Sequence, residues 1–150
     1  MNTLASLLSD ADIRLDVAVA DKAELLDLLG MLMEQNHGLP RSWVTPGLAR
    51  REGLGSTGLG EGVAIPHCRV RDIERMRVAY LRLKAAIPFG APDGKPVGDI
   101  LVLLAPKQAD DEHLRILAEV AQMFAEARFR ERLHACATPR EAKGVFDAWG

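Results

Sequence analysis

The hydrophobic positions of the chain change period several times, and each change marks an element. Residues Leu15 to Ala20 (LDVAVA) alternate and predict a short strand. Asp21, with Glu24 three residues later, has the form of a capping box. Leu25, Leu28, Leu29, Leu32 and Met33 then recur at helical spacing, and the helix is expected to end near Asn36, before His37, Gly38 and Pro40. A second helix is expected from Ser42 to about Glu52, with Pro46 in its first turn, where a missing N–H costs little. Gly53, Gly55, Gly58, Gly60 and Gly62 follow and are expected to break regular structure. Val63-Ala64-Ile65 is a strand-like piece ending at Pro66-His67.

The second half alternates in the same way. Val78 to Leu83 predicts a strand with Ala79, Leu81 and Leu83 on one face. Pro88, Gly90, Pro92 and Gly94 mark a loop. Ile100 to Ala105 is a continuous apolar run, the pattern of a central strand buried on both faces. Asp110 or Asp111 is expected to cap a long helix, with Leu114, Leu117, Ala118, Ala121 and Phe124 on its apolar side. Phe129 to Cys136 reads as another helical piece, and Thr138-Pro139-Arg140-Glu141 as a capping box opening a last helix. Alternating helices and strands predict an α/β (mixed α+β) domain spanning residues 1–150, a mixed sheet flanked by helices.

Composition narrows the function classes. The 150 residues suit one domain, and 48% apolar with 27% charged residues is the balance of a globular chain. A net charge of −2 with dispersed Lys and Arg offers no footprint for nucleic acid. No apolar run reaches membrane-span length, and Met1 to Asp12 lacks the basic start and long apolar centre of a signal peptide. Two cysteines, Cys68 and Cys136, make no disulfide framework, so a cytoplasmic protein with free thiols is expected.

The chemistry concentrates in Arg51 to Cys68, REGLGSTGLGEGVAIPHC. Its glycines permit left-handed backbone and could form an anion nest. Ser56, Thr57 and Gly58 are candidate phosphate-binding positions, and Arg51 is a fork-shaped cation suited to phosphate. His67 offers an imidazole nucleophile that titrates near neutral pH. Taken alone, the glycine run has the composition of a flexible connection. Gly53, Gly55 and Gly58 match GxGxxG, but a helix precedes them and a strand follows, the reverse of a dinucleotide site. No P-loop lysine follows either. Adjacent His67 and Cys68, with His113 as a third donor, do not make a metal-site spacing, so no metal or other cofactor is expected. Cys68 reads as an inert small side chain, and His37 and His134 as structural or solvated residues.

Glu52, six residues, Leu59-Gly60, two residues and Val63-Ala64-Ile65-Pro66-His67-Cys68 resemble the phosphorylation signature of the type-2 IIA domains of the bacterial phosphotransferase system. Gly55-Ser56-Thr57-Gly58, Pro88-Phe89, the ILVLLAP strand and the helix near His113-Leu114 extend the resemblance over most of the chain, toward the family's nitrogen-regulatory branch. It implies a phosphohistidine at His67, accepting through Nε2, with a supporting Arg51 and a second site histidine at His113. It implies an HPr-like phosphocarrier as donor. It also implies regulatory targets in potassium transport or sensor kinase signalling. The alternative is a fructose/mannitol-type sugar IIA component that passes phosphate to a IIB domain. The absence of an attached IIB-like or membrane segment favours the regulatory reading. Two positions depart from the common pattern: Cys68 replaces glycine, and Glu61 replaces a small polar residue. These put a thiol beside the site and a negative charge near its anion.

Overall fold

The structure, a computed structural model, describes residues 2–108 and 111–150. Six strands form one sheet: β1 (Ile13–Val17), β2 (Gly58–Gly60), β3 (Val63–Ala64), β4 (His67–Val70), β5 (Arg77–Ile87) and β6 (Val97–Pro106). The strand order is β1-β5-β6-β3-β2, and β4 also pairs with β6, further along the edge that β3 occupies. The β1/β5, β3/β6 and β4/β6 pairs are parallel, while β5/β6 and β2/β3 are antiparallel.

Helices cover both faces. On one face lie α2 (Lys22–His37) and α3 (Arg41–Gly53), over Ala79, Leu81, Ile100, Val102 and Leu104. On the other lie α1 (Thr3–Leu7), α4 (Asp111–Ala125), α5 (Ala127–His134) and α6 (Pro139–Ala148). They bury an aromatic cluster of Tyr80, Phe124, Phe129 and Phe146 with ring centroids 5.2–6.2 Å apart. The alternation in β6 divides the two cores: Leu101, Leu103 and Ala105 face one, and Ile100, Val102 and Leu104 the other. Among the described residues no helix is long and apolar enough to cross a membrane.

Local chemistry explains most boundaries. The Asp21 side chain accepts from Glu24 N–H at 2.9 Å, and the Glu24 carboxylate accepts from Ala20 N–H at 3.1 Å. Gly38, at φ 68°, closes α2 in the left-handed conformation. Thr138 caps α6 through Glu141 N–H.

Several expectations need correction. The first strand runs over Ile13–Val17 rather than Leu15–Ala20, with an irregularity at Asp16 (φ 55°) inside it, and Ala20 already belongs to the cap of α2, its N–H donating to Glu24. Pro46 lies one turn inside α3 rather than in its first turn, since the helix already begins at Arg41 after Pro40. The glycine run does not break all regular structure: Gly58–Gly60 pairs with Val63–Ala64 as β2. His67 does not end a strand but opens β4. In α4 the buried face is Ile116, Val120, Met123 and Phe124, which leaves Leu114 58% exposed. Asp110, one of the two expected caps of that helix, lies outside the described residues. Helix α1, which the polar and apolar pattern did not announce, is capped by Asn2 and packs Leu4 and Ala5 into the core.

Candidate functional site

His67 is held by backbone on both sides. Leu103 N–H donates to the Pro66 carbonyl at 3.0 Å, and His67 is registered opposite Leu103 in the β4/β6 pair. Ile65 N–H donates to the Thr57 carbonyl at 3.1 Å, which ties this segment back to the glycine loop. The His67 Nδ1 lies 2.7 Å from the Ile65 carbonyl. A carbonyl can only accept, so Nδ1 carries the proton and, in the neutral ring, Nε2 holds the lone pair. Burial holds the imidazole below its ordinary pKa. The bond to Ile65 opposes that shift, the Arg51 charge adds to it, Glu52 opposes it and His113 adds to it. The net direction is downward, which keeps the nucleophilic form at neutral pH.

His67 lines a cavity of about 420 Å³ at the outer side of β4, between the C-terminal end of α3 and the start of α4. Arg50, Arg51 and Leu54 come from α3 and its C-cap, Arg69 from β4, Lys107 from the end of β6, and His113 from the first turn of α4. Four cationic side chains therefore line it, with no carboxylate among the described lining residues. The Arg51 guanidinium donates to the Gly55 carbonyl at 2.8 Å, which fixes the start of the loop. The Nδ1 of His113 is buried and has no hydrogen-bond partner. An unpaired lone pair there costs less than an orphaned N–H, so the neutral ring carries its proton on Nε2. His67, Arg51 and His113, separate in sequence, thus line one cavity.

Ser56, Thr57 and Gly58 do not reach it. The Ser56 hydroxyl donates to the Phe89 carbonyl at 2.8 Å and accepts from Gly58 N–H at 3.0 Å. Thr57 gives both its N–H, at 3.1 Å, and its hydroxyl to Glu52. Gly58 is packed so closely that a Cβ would lie 2.7 Å from that of Ala91. The N–H groups of Gly55, Thr57 and Gly58 are all committed within the loop, which removes them from the expected anion nest. These residues build the loop rather than face the cavity.

At the centre of that construction sits Glu52. Its buried carboxylate takes the two Thr57 bonds and pairs with the Lys22 ammonium at 2.8 Å. Lys22 also lies 4.2 Å from the centre of the Phe89 ring. The signature acid therefore knots the end of α3, the glycine loop and the start of α2.

The two unusual positions have different fates. Glu61 is exposed, away from the cavity, beside Lys95 at 3.6 Å and Arg130 at 3.9 Å. Cys68 does line the cavity, but its other side presses on α3: a Cβ on Gly47 would lie 2.9 Å from its sulfur. Burial pushes the thiol up to about 11. We expect iodoacetamide to alkylate Cys68 at pH 7 about a hundredfold more slowly than free cysteine, as read by mass spectrometry, because so little thiolate is present. Alkylation at the free-cysteine rate would show an activated thiol.

Sequence reasoning missed Arg50, Arg69 and Lys107. They have no local motif, and only the meeting of α3, β4 and the end of β6 brings them together. His37 and His134 are structural: each places Nε2 on a buried carboxylate, Asp12 at 3.0 Å and Asp99 at 2.7 Å.

Comparison with known proteins bears on the family and the fold. Residues 6–148 match the family described as "Phosphoenolpyruvate-dependent sugar phosphotransferase system, EIIA 2". The "Nitrogen regulatory protein" of Pseudomonas aeruginosa is 46% identical over 91 residues, which cover 61% of this chain and 59% of that protein. The protein of the same name from Klebsiella oxytoca is 32% identical over 98% of this chain and 91% of its own. The crystal structure of the nitrogen regulatory protein IIA-Ntr from Neisseria meningitidis superposes with a TM-score of 0.91 at 38% identity, covering 96% of this chain and 99% of that one. With a family match across nearly its whole length and a fold shared with IIA-Ntr, this chain belongs to the EIIA type-2 family of the phosphotransferase system.

Proposed function

We propose that the chain accepts a phosphoryl group on Nε2 of His67 from a phosphohistidine of an HPr-like carrier. The observation that carries this reading is the His67 imidazole, with Nδ1–H on the Ile65 carbonyl and its lone pair on Nε2, lining a cationic cavity. Nε2 attacks phosphorus in line as the donor's N–P bond breaks. The donor ring, protonated on its other nitrogen, leaves as neutral imidazole. His67 becomes a phosphorylated imidazolium whose Nδ1–H stays on Ile65. Each ring keeps its own proton, so no external base is needed. Arg51 stabilises the charge on the equatorial oxygens, and Nε2–H of His113 donates to one of them.

The output proposed is regulatory. A phosphoryl group adds about one and a half to two negative charges by analogy with other phosphorylated side chains. Set against the four cationic side chains that line the cavity, this cancels up to about half of their charge, a change by which partners distinguish the two forms. Targets in potassium transport or sensor kinase signalling fit this output, and the nitrogen-regulatory names of the relatives support it. The test combines the chain with enzyme I, phosphoenolpyruvate and an HPr-like carrier, followed by capture of partners on the phosphorylated and free forms. Retention of a target by one form supports regulation. Equal retention, with rapid transfer to a sugar-specific IIB domain, would establish the transport alternative.

Arg51→Ala should slow phosphoryl acceptance about thirtyfold, roughly 2 kcal/mol, the loss of one charged donor. Arg51→Lys should recover part of it, since charge returns without the fork. Rapid-quench labelling measures both, and an unchanged rate in Arg51→Ala would restrict this arginine to holding Gly55.

A further inference from the structure

A second cavity with two arginines lies apart from His67. It encloses about 340 Å³ and is lined by residues 6–9 and Asp12, between the end of α1 and β1, by His37 at the end of α2, and by Arg75, Met76 and Arg77 at the start of β5. It shares no lining residue with the His67 cavity. One carboxylate lines it among the described residues, and that carboxylate is already used. Asp12 is buried, its Oδ1 accepts from the Asn36 amide at 2.9 Å and lies 3.0 Å from Nε2 of His37, and its Oδ2 accepts the Ser9 hydroxyl at 2.9 Å.

The arginines are therefore left without an anion. Among the described residues neither pairs with a carboxylate. Arg75 is exposed, and its side chain makes no hydrogen bond within the described chain. Arg77 is half-buried, and its Nη1 reaches only the Arg75 and Met76 carbonyls, at 3.4 and 3.5 Å. Its Nε is buried with no partner at all. A charged donor held out of water with an unpaired N–H is costly, so the position favours an anion. The main chain of Arg77 is fixed opposite Leu104 in the β5/β6 pair, which gives that anion a firm base. One guanidinium fork takes both oxygens of a carboxylate, whereas two guanidiniums match an anion with more oxygens and more charge, which is a phosphate group.

We propose that this cavity binds a phosphate group, as the inorganic ion or as the phosphate of a small monoester, clasped between Arg75 and Arg77. A modest turn of the Arg77 guanidinium then brings the orphaned Nε–H onto a phosphate oxygen. The occupant ties the chain before β1 to the start of β5, while Asp12 keeps its three donors. The site stands apart from the His67 chemistry and does not depend on it.

The test follows backbone amide shifts of the isotope-labelled chain by NMR while inorganic phosphate, methyl phosphate or acetate is added at constant pH and ionic strength. Phosphate should move the amides of Ser9, His37 and Arg77 along one saturable curve. The cationic His67 cavity gives a separate response, read at the amides of His67 and Cys68. Arg75→Gln and Arg77→Gln, each checked for a wild-type melting curve, should weaken the first curve about tenfold and leave the second unchanged. Arg77→Lys should recover part of the loss, since charge returns without the fork. Arg75 is an exposed side chain, so its variant keeps the test decisive if Arg77→Gln disturbs the fold. Saturation by methyl phosphate would extend the site to monoesters, and saturation by inorganic phosphate alone would restrict it to the free ion. Acetate binding as tightly as phosphate would overturn the assignment to phosphate. Shifts confined to the His67 cavity, or a first curve that both glutamine variants leave unchanged, would overturn the site itself.

Discussion

Replacing His67 with alanine should abolish labelling by a phosphorylated HPr-like carrier, and His67→Gln should do the same. Neither alanine nor glutamine supplies a nucleophilic lone pair where Nε2 stands. In wild type the label should be lost in acid and kept in base, as a phosphoramidate is. The fold should survive, because His67 is half-buried at the edge of the sheet and its main chain holds the register with Leu103. The rate should also report the depressed pKa. Because burial keeps the ring neutral, acceptance should persist below the ordinary imidazole value of about 6.5 and decline only at lower pH. Label that survives the substitution would move the acceptor to another residue. An acidic limb centred above 6.5 would contradict the burial argument.

The second large effect is expected at Glu52, far less in chemistry than in construction. Glu52→Ala removes the partner of Lys22 and of both Thr57 donors at once. Lys22 keeps some access to water, but the Thr57 N–H is left buried. A cost of about 3 kcal/mol follows, near 10 °C in melting temperature for a domain of this size. Glu52→Gln should cost roughly half, since its amide oxygen still accepts from Thr57 while the ion pair is lost. Calorimetry measures both. A melting temperature within a degree of wild type for Glu52→Ala would mean that the loop is held by other bonds. Phosphoryl acceptance should fall as well, through the loosened loop rather than through contact with the phosphoryl group.

These two residues illustrate what the sequence makes legible. Glu52 and His67 lie in one continuous signature, and its spacing places both. The class of fold was equally open to reading, because LDV, the Val78–Leu83 alternation and the ILVLLA run carry strand periods of their own. The errors share one physical cause, which is that tertiary partners outrank local pattern. Leu114 looks like the apolar side of α4 along with Leu117 and Phe124, yet only the latter two pack on the core, where the buried stripe is Ile116, Val120, Met123 and Phe124. Ser56 and Thr57 look like phosphate donors, yet Ser56 meets a carbonyl 33 positions away at Phe89 and Thr57 meets a buried acid. Arg50, Arg69 and Lys107 come from three elements and have no shared spacing to detect. His113 was reached through the family resemblance and not through any local signal. Its placement against His67 depends on α4 beginning beside the open side of β4.

That open side has an evolutionary implication. Strand β4 is pinned to the middle of the sheet through Leu103, Leu104, Ala105 and Pro106, so the acceptor stands on an inflexible post. Of the side chains that surround it, Arg50, Arg69 and Lys107 are exposed, on α3, on β4 and just past the end of β6, and belong to neither core. Substitutions at these exposed positions leave in place the strand pairing of His67 with Leu103 and the bond from its Nδ1 to the Ile65 carbonyl. If partners read such exposed positions, a duplicated copy of this gene could diverge in what it recognises with no change in the sheet.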